Sequence, residues 1–587
     1  MDNRPSQRDL AIEKGTDLRL TAIAALLLIA ALIPGVLATS DLTWPFDLDH
    51  FRDIGVAQTI QDGGWGGWRE DPFYVGEAAW YNPLLPAIVA LASTVARSPL
   101  PETFTRIGAA INLLPALMFF LCARRLIGPV AALPALIAWL FLPHSPPAWG
   151  AAMYTPWLFP ATFAHALFYG GIVAWLNALE RPSLSRLSIA GAILGVTLLT
   201  HTAPALVLTG MIVVTALLTP ARLSPLGTQG MAGRAKAIAV PGAIAAVIAS
   251  PFLLPLALRY GFHVVNRMPG SWVDERLSFS NLGVRLMKPS TWPMTILAVT
   301  GVIALLRGRN AAAAPEARIG AGGPGLPDQA PGAPRRTRPD PPAKIHRASG
   351  AAVTLPLLLM AAWGVITLAL FIVSTLGQTS ELLPVVVPAF HFYFLLRALA
   401  CVAFGAGFMV MAGVLARWWS RQAAASQATA TGVALIVTLL LSAALYPDYL
   451  DREAFTTARR RAMDWQASDD RRAREWIHGN TPTAAVFAAY DDDALRIVGA
   501  AGRKVMCMDP YFSNPYVDRA PRAAARDELF NALAAGDRDK FLDIARSYRV
   551  THILIRQDRL PTLKVRDVSF IKVRYQHHQV SIAYITP

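Results

Sequence analysis

The chain has 587 residues, 54% of them hydrophobic and only 16% charged, with a mean hydropathy of +0.39. These values fit a multi-span membrane protein and not a soluble globule. The net charge of +15 gives little support to nucleic-acid binding, because the basic residues gather in short loops and a linker where they orient spans and meet anionic lipid.

The first apolar run, Leu20 to Leu37, carries no charge and is long enough to cross a bilayer core. It is long and lacks a clear small-residue cleavage site, so it reads as a signal anchor. Arg4, Arg8, Lys14 and Arg19 precede it, while Asp41, Asp47, Asp49 and Asp53 follow it. The positive-inside rule then sets residues 1–19 in the cytoplasm and the acids outside it. The acid cluster, DLDHFRD, supports a helix starting near Asp49 and stopping at Gly63 and Gly64, with Asp47 close to its N-cap. Capping needs only one acid. Asp47 and Asp49, two residues apart around a bend, can supply a general base and a group that binds an acceptor hydroxyl or a divalent cation, with His50 and Asp53 beside them.

A large first external loop is predicted over 39–105. Within it, GGWGGWREDPFYVGEAAWYNP supplies interfacial aromatics, and Glu70, Asp71, Tyr74 and Glu77 are candidate sugar or acceptor contacts. The apolar stretch Pro83 to Ala96 is too short for a full span and reads as a buried, re-entrant or interfacial helix.

Ten further runs complete a prediction of about eleven spans: Ile107 to Leu121, Val130 to Leu142, Leu158 to Leu179, Leu187 to Thr200, Ala203 to Thr219, Ala237 to Leu258, Trp292 to Leu306, Val353 to Ser374, Ala398 to Ala416 and Val433 to Leu445. Under that count Arg124 and Arg125, Arg181 and Arg186, Arg222 to Lys236, Arg307 to Arg347, and Arg417 and Arg421 share one side. The odd number puts the C-terminal region outside. Residues 20–307 are one transmembrane module, 308–350 a disordered cytoplasmic linker rich in Ala, Gly, Pro and Arg, and 351–446 the remaining helices. From 447 to 587 the runs shorten to strand length (AAVFAAY, RKVMCM, THILI, VSIAYI) between helix-like segments, which predicts an external α/β domain. Cys122, Cys401 and Cys507 imply no disulfide framework.

Some other polar groups lie at the external ends of spans. Arg397, with His391 and Tyr393, starts one span and is a candidate for a phosphate; its alternative role is interfacial snorkelling. Arg259, His263 and Arg267 follow another span and are candidates for phosphate or sugar. His165 and His201 admit a proton relay or ordinary neutral bonding inside the bundle. In the terminal region, YDDD at Tyr490 to Asp493 reads as a solvated turn or a cation site, and DPYFSNPYVD as a loop whose aromatics suit carbohydrate.

The acidic motif after the first span, the long external loop, the PLLPAIVALAS segment, the span ending in ARRLIG and the terminal external domain together resemble a C-type glycosyltransferase of the GT-C superfamily. Asp47 with His50 and Phe51 is similar to the DExHF motif of protein O-mannosyltransferases, with Leu48 where that family has glutamate. The resemblance implies an inverting hexosyl or pentosyl transfer from a polyprenyl-phosphate sugar to an extracytoplasmic glycan, lipid or protein. Asp47 is then the leading catalytic carboxylate and Asp49 the alternative, and Arg397 meets the leaving phosphate. Metal dependence stays open, with the Asp47/Asp49 pair the candidate seat of a divalent cation. The competing classes are a transporter or lipid flippase, for which neither internal repeats nor midplane charged sites are visible, and a non-catalytic polysaccharide-assembly protein.

Overall fold

The computed structural model of the protein describes residues 7–142, 154–220, 223–266, 292–312, 348–379, 387–420, 427–559 and 565–586. Most of the linker expected at 308–350 lies outside these residues, as does Arg267.

The apolar runs expected to span the membrane lie on helices, because a chain in lipid must satisfy each backbone polar group within its own segment. The helices are α1 (Gln7–Thr39), α2 (Leu48–Gly63), α3 (Leu84–Ala96), α4 (Leu100–Ile111), α5 (Leu113–Ile127), α6 (Pro129–Phe141), α7 (Pro160–Glu180), α8 (Leu184–Thr200), α9 (Thr202–Leu218), α10 (Gly230–Tyr260), α11 (Trp292–Ala312), α12 (Ala348–Thr379), α13 (Phe390–Ser420) and α14 (Gln427–Leu450). Among the described residues, seven helical stretches are long and apolar enough to cross a membrane, with α4 and α5 counted together, and α6, α8, α9 and part of α11 are shorter apolar helices. The protein is a polytopic helical membrane protein. Leu26, Ile29, Ile33 and Leu37 of α1 stay exposed on its outer face while Leu20, Ala24, Leu27 and Ala31 pack inward, as lipid on one side and protein on the other require.

The stretch Pro83 to Ala96 is the short helix α3. It buries Leu85, Val89 and Ala90 and leaves Leu91 and Val95 exposed, which suits a helix lying at the interface.

The C-terminal region forms a small α/β domain. Helices α15 (Thr457–Ala467), α16 (Asp469–Asn480), α17 (Ala520–Ala535) and α18 (Arg538–Ser547) accompany strands β1 (Val486–Ala488), β2 (Lys504–Val505), β3 (His552–Arg556), β4 (Ile571–His577) and β5 (Val580–Ile585). The sheet order is β2-β1-β3-β5-β4, parallel at β2, β1 and β3 and antiparallel through β5 and β4.

One core joins this domain to the first loop. Trp44, Phe51, Ile54 and Phe73 from the loop pack with Trp465, Phe487, Leu495 and Ile497 from the domain. Polar contacts reinforce it: Val505 N–H donates to the Phe73 carbonyl (2.8 Å), and Arg503 pairs with Asp62 at 3.2 Å. The loop and the domain therefore sit on the same face of the helical bundle, and α2 is fixed between them.

Candidate active site

Helix α2 starts where the sequence requires. Asp47 is its N-cap, in extended conformation (φ −104°, ψ 152°); its Oδ1 accepts from Asp49 N–H at 2.9 Å, and its own N–H donates to His50 Nδ1 at 3.2 Å. This is a reciprocal capping box, with histidine in the place usual for Glu or Gln. Asp49 in the first turn adds negative charge at the positive end of the helix dipole. The helix ends at Gly63, followed by Gly64 at φ +57°, a conformation glycine adopts at little cost.

Beside α2 opens a cavity of about 320 Å³. Its polar wall carries Asp49, Arg52, Tyr81, Asn82, His201 and His391; its apolar wall carries Phe159, the N-cap of α7, with Phe252 and Leu256 from α10 and Phe390 and Phe394 from α13. A loop of the terminal domain, Pro510 to Tyr516, closes one side. Asn266 holds that loop in place, its Nδ2 donating to the carbonyls of Asn514 (2.7 Å) and Val517 (2.6 Å).

Arg52 is the centre of the polar wall. Its Nη1 lies 2.6 Å from Asp49 Oδ1, its Nε donates to Asp53 Oδ1 at 2.9 Å, and its guanidinium carbon stands 4.1 Å from the centre of the Tyr81 ring. Burial works against the charge, but the carboxylates of Asp49 and Asp53 outweigh it and hold Arg52 firmly protonated. Asp53 is fully buried, and burial pushes it up to about 6 against the pull of Arg52. Burial, together with the neighbouring charge of Asp49, pushes Asp47 up to about 7. His50 is buried among Phe46, Phe104, Trp157 and Phe159; burial, then the Arg52 charge, drops it to about 3, so it is a neutral ring serving the cap.

Of the two leading acids, only Asp49 lines the cavity, while Asp47 stands behind it in the cap. A divalent cation at this pair would meet the Arg52 guanidinium already bonded to Asp49, so the geometry fits an internal arginine better than a metal. His201 and His391, nearly two hundred residues apart in sequence, meet with ring centres 4.4 Å apart. His201 Nδ1 accepts from Ala203 N–H (3.2 Å), so its Nε2 carries the hydrogen.

Other sequence candidates lie outside the lining of this cavity. Asp71 is buried and accepts from Phe73 N–H, Tyr74 N–H and Asn514 Nδ2. The Tyr74 hydroxyl bonds Ser513 at 2.8 Å. Glu77 pairs with Arg259 at 2.9 Å and accepts from the Tyr260 hydroxyl, tying α10 to the loop. Glu70 is exposed beside a short bridge to Ala78 and does not line the cavity. Tyr393 packs against Phe394, and Arg397 lies deeper along α13 near Arg452 and Cys401; neither lines the cavity. In YDDD, Asp491 pairs with Arg519 and Arg526 and Asp493 with Arg556, so these acids are committed to ion pairs.

Arg52, Tyr81, Asn82 and Asn266 are the residues the sequence reasoning passed over. Arg52 had a signal: it is flanked by Asp49 one turn before and Asp53 immediately after, an arrangement that buries a cation only with both partners.

No family model matches the sequence, and no curated protein matches it. Among solved structures, the crystal structure of ArnT from Cupriavidus metallidurans bound to undecaprenyl phosphate aligns with a TM-score of 0.51 at 15% identity, covering 96% of this chain and 98% of that one. The apo state of the same protein gives 0.50 at 14% identity with the same coverage. An Archaeoglobus fulgidus oligosaccharyltransferase tethered to an acceptor peptide aligns at 0.49 and 12% identity over 93% of this chain and 69% of that one. The chain has the GT-C fold, as its motif order led one to expect, over nearly its whole length.

Proposed function

We propose that the protein is a membrane glycosyltransferase that moves a sugar from a polyprenyl-phosphate donor to a hydroxyl on an extracytoplasmic glycan, lipid or protein. The observation that carries this reading is one cavity holding a carboxylate, Asp49, beside a buried arginine, Arg52, at the junction of the first loop, the terminal domain and the apolar ends of α7, α10 and α13. The apolar wall suits a prenyl chain. Arg52, with the His201 and His391 rings, suits its phosphate. Asp49 accepts the proton as the acceptor oxygen attacks the anomeric carbon, the sugar–phosphate bond breaks, and the lipid phosphate leaves with the bonding electrons, inverting the centre. Aromatics of the Pro510 to Tyr516 loop give the sugar a stacking surface. The N-terminus is cytoplasmic, and the cavity opens on the outer face of the inner membrane.

The test is transfer by the purified protein in detergent from a panel of polyprenyl-phosphate hexoses and pentoses, paired with mass analysis of lipid-linked sugars and envelope glycans in depleted cells. Donor accumulation with loss of one glycan linkage is expected. Unchanged glycans together with no transfer from any donor would remove the enzymatic reading.

A further inference from the structure

The terminal domain carries a cluster of groups able to hold a metal, well separated in the chain from the cavity residues of the first loop. Strands β4 and β5 are joined by a two-residue turn, His578 and Gln579, and the strand ends in His577, so the hairpin tip presents two adjacent imidazoles. Opposite the tip lies the first turn of α16, which begins at Asp469 behind its N-cap, Ser468. One donor atom from each of Asp469, His577 and His578 lies within 4.8 Å of the others.

We propose that Asp469, His577 and His578 bind a divalent transition metal of the zinc class and thereby pin the β4–β5 hairpin to the start of α16. Two imidazoles and a carboxylate are a borderline donor set that selects zinc-class ions over calcium or magnesium. The spacing is close to what such an ion needs. Ligand atoms of tetrahedral zinc stand roughly 3.3 Å apart, as its ordinary bond lengths dictate; His577 Nδ1 and Asp469 Oδ1 are already 3.1 Å apart. The two rings are 4.4 Å apart and nearly perpendicular (83°), so turning the exposed His578 ring completes a three-ligand face. Asp469 and His577 are each one-third exposed, and His577 Nδ1, itself covered, makes no hydrogen bond that an ion would have to displace.

A guanidinium now attends the same groups. Arg472 Nη1 lies 3.1 Å from His577 Nε2 and 3.5 Å from Asp469 Oδ1. Arg472 can only donate, so Nε2 accepts and the ring hydrogen sits on Nδ1, beside Asp469 but not hydrogen-bonded to it. Metal at Nδ1 requires that hydrogen to move to Nε2, and Nε2 then no longer accepts from Arg472. Metal and arginine therefore compete, and Arg472, half exposed (49%), is free to swing into solvent.

The experiment is calorimetric titration of zinc chloride into the chelator-stripped full-length protein in detergent, with thermal melting in parallel. The comparison variant is His577→Gln/His578→Asn; asparagine suits the left-handed conformation that His578 adopts (φ +43°), so the turn is preserved. Equal melting of the two proteins without zinc confirms folding. The wild type is expected to bind one zinc at least tenfold more tightly than the double variant and to melt higher when zinc is present, while the variant shows no zinc-dependent shift. Arg472→Gln is expected to bind more tightly than wild type. Zinc affinity in the double variant equal to that of the wild type, or no saturable event in the wild type, would overturn the proposal.

Discussion

Arg52 Nη1 stands 2.6 Å from Asp49 Oδ1, one turn along the same helix, and this pair is the only meeting of opposite charges on the cavity wall among the described residues. Its consequence is a division of labour. Asp49 keeps a face toward the cavity, and Arg52 is anchored from behind by Asp53.

Asp49→Asn is expected to lower turnover about 100-fold or more, because the amide keeps the shape and loses the basic oxygen. Asp47→Asn retains a good N-cap residue and is expected to act far less. Initial rates on purified, folded variants decide between them, and near-normal turnover in Asp49→Asn would return the search to Asp47.

Arg52→Ala has two expected effects. It leaves Asp53 buried without its cation, a change that costs about 3–5 kcal/mol in comparable buried pairs. It also removes the proposed phosphate partner, so donor KM is expected to rise. Arg52→Lys separates the two, since lysine keeps the charge for Asp53 but loses the planar fork. Its melting temperature should stay near wild type while donor KM still increases, and an unchanged KM in Arg52→Lys would leave Arg52 a structural residue.

How far the sequence reached follows a physical rule. Segments governed by local chemistry were legible: the helices of the apolar runs, the N-cap at Asp47, the stop at Gly63 and Gly64, and strands β1, β2, β3 and β5. Strand β4 carries no continuous apolar run, since Ile571, Val573 and Tyr575 alternate with polar residues, and its signal in the sequence is correspondingly weak. Contacts across long sequence separations were not legible. Nothing local says that His201 meets His391, or that Asp71 Oδ2 and the Tyr74 hydroxyl are taken up by the terminal domain while Asp49 lines the cavity.

Asp47 makes stability depend on pH. Its carboxyl titrates near 3.8 when unfolded and about 7 when folded, so between these values the folded state holds the extra proton. Stability therefore falls as pH rises through that window. Asp47→Asn removes this slope. Melting curves should show the variant gaining on wild type at pH 8 and matching it near pH 4; parallel curves at both values would refute the assignment.

Sidedness is tested by labelling. Cysteines at Gly66 and Asn480, both exposed and on the two partners of the shared core, should react with an impermeant maleimide in intact spheroplasts. A cysteine at Lys14 should react only after permeabilisation. Labels on Gly66 and Asn480 from opposite sides would contradict the packing itself.

The last prediction concerns the seat of α2. Gly55 lies where the helix meets the terminal domain, and a Cβ there would stand 2.5 Å from the backbone carbonyl oxygen of Gly499 and 3.2 Å from the Phe73 ring. A backbone oxygen cannot rotate aside, so Gly55→Ala must push the helix away from the domain. Overpacking of this kind costs about 1–3 kcal/mol. The displacement also moves Arg52 and Asp49, which ride on the same helix, relative to the Pro510 to Tyr516 loop across the cavity. Gly55→Ala should thus lose both stability and turnover although Gly55 itself does not line the cavity. Gly63→Ala is the control: it is the last residue of α2, with no atom within 4 Å of an added Cβ, and it should leave both unchanged. Melting temperature and transfer rate measured on the two variants provide the answer, and a Gly55→Ala protein with full activity and stability would show that α2 is not seated against Gly499 in the working protein.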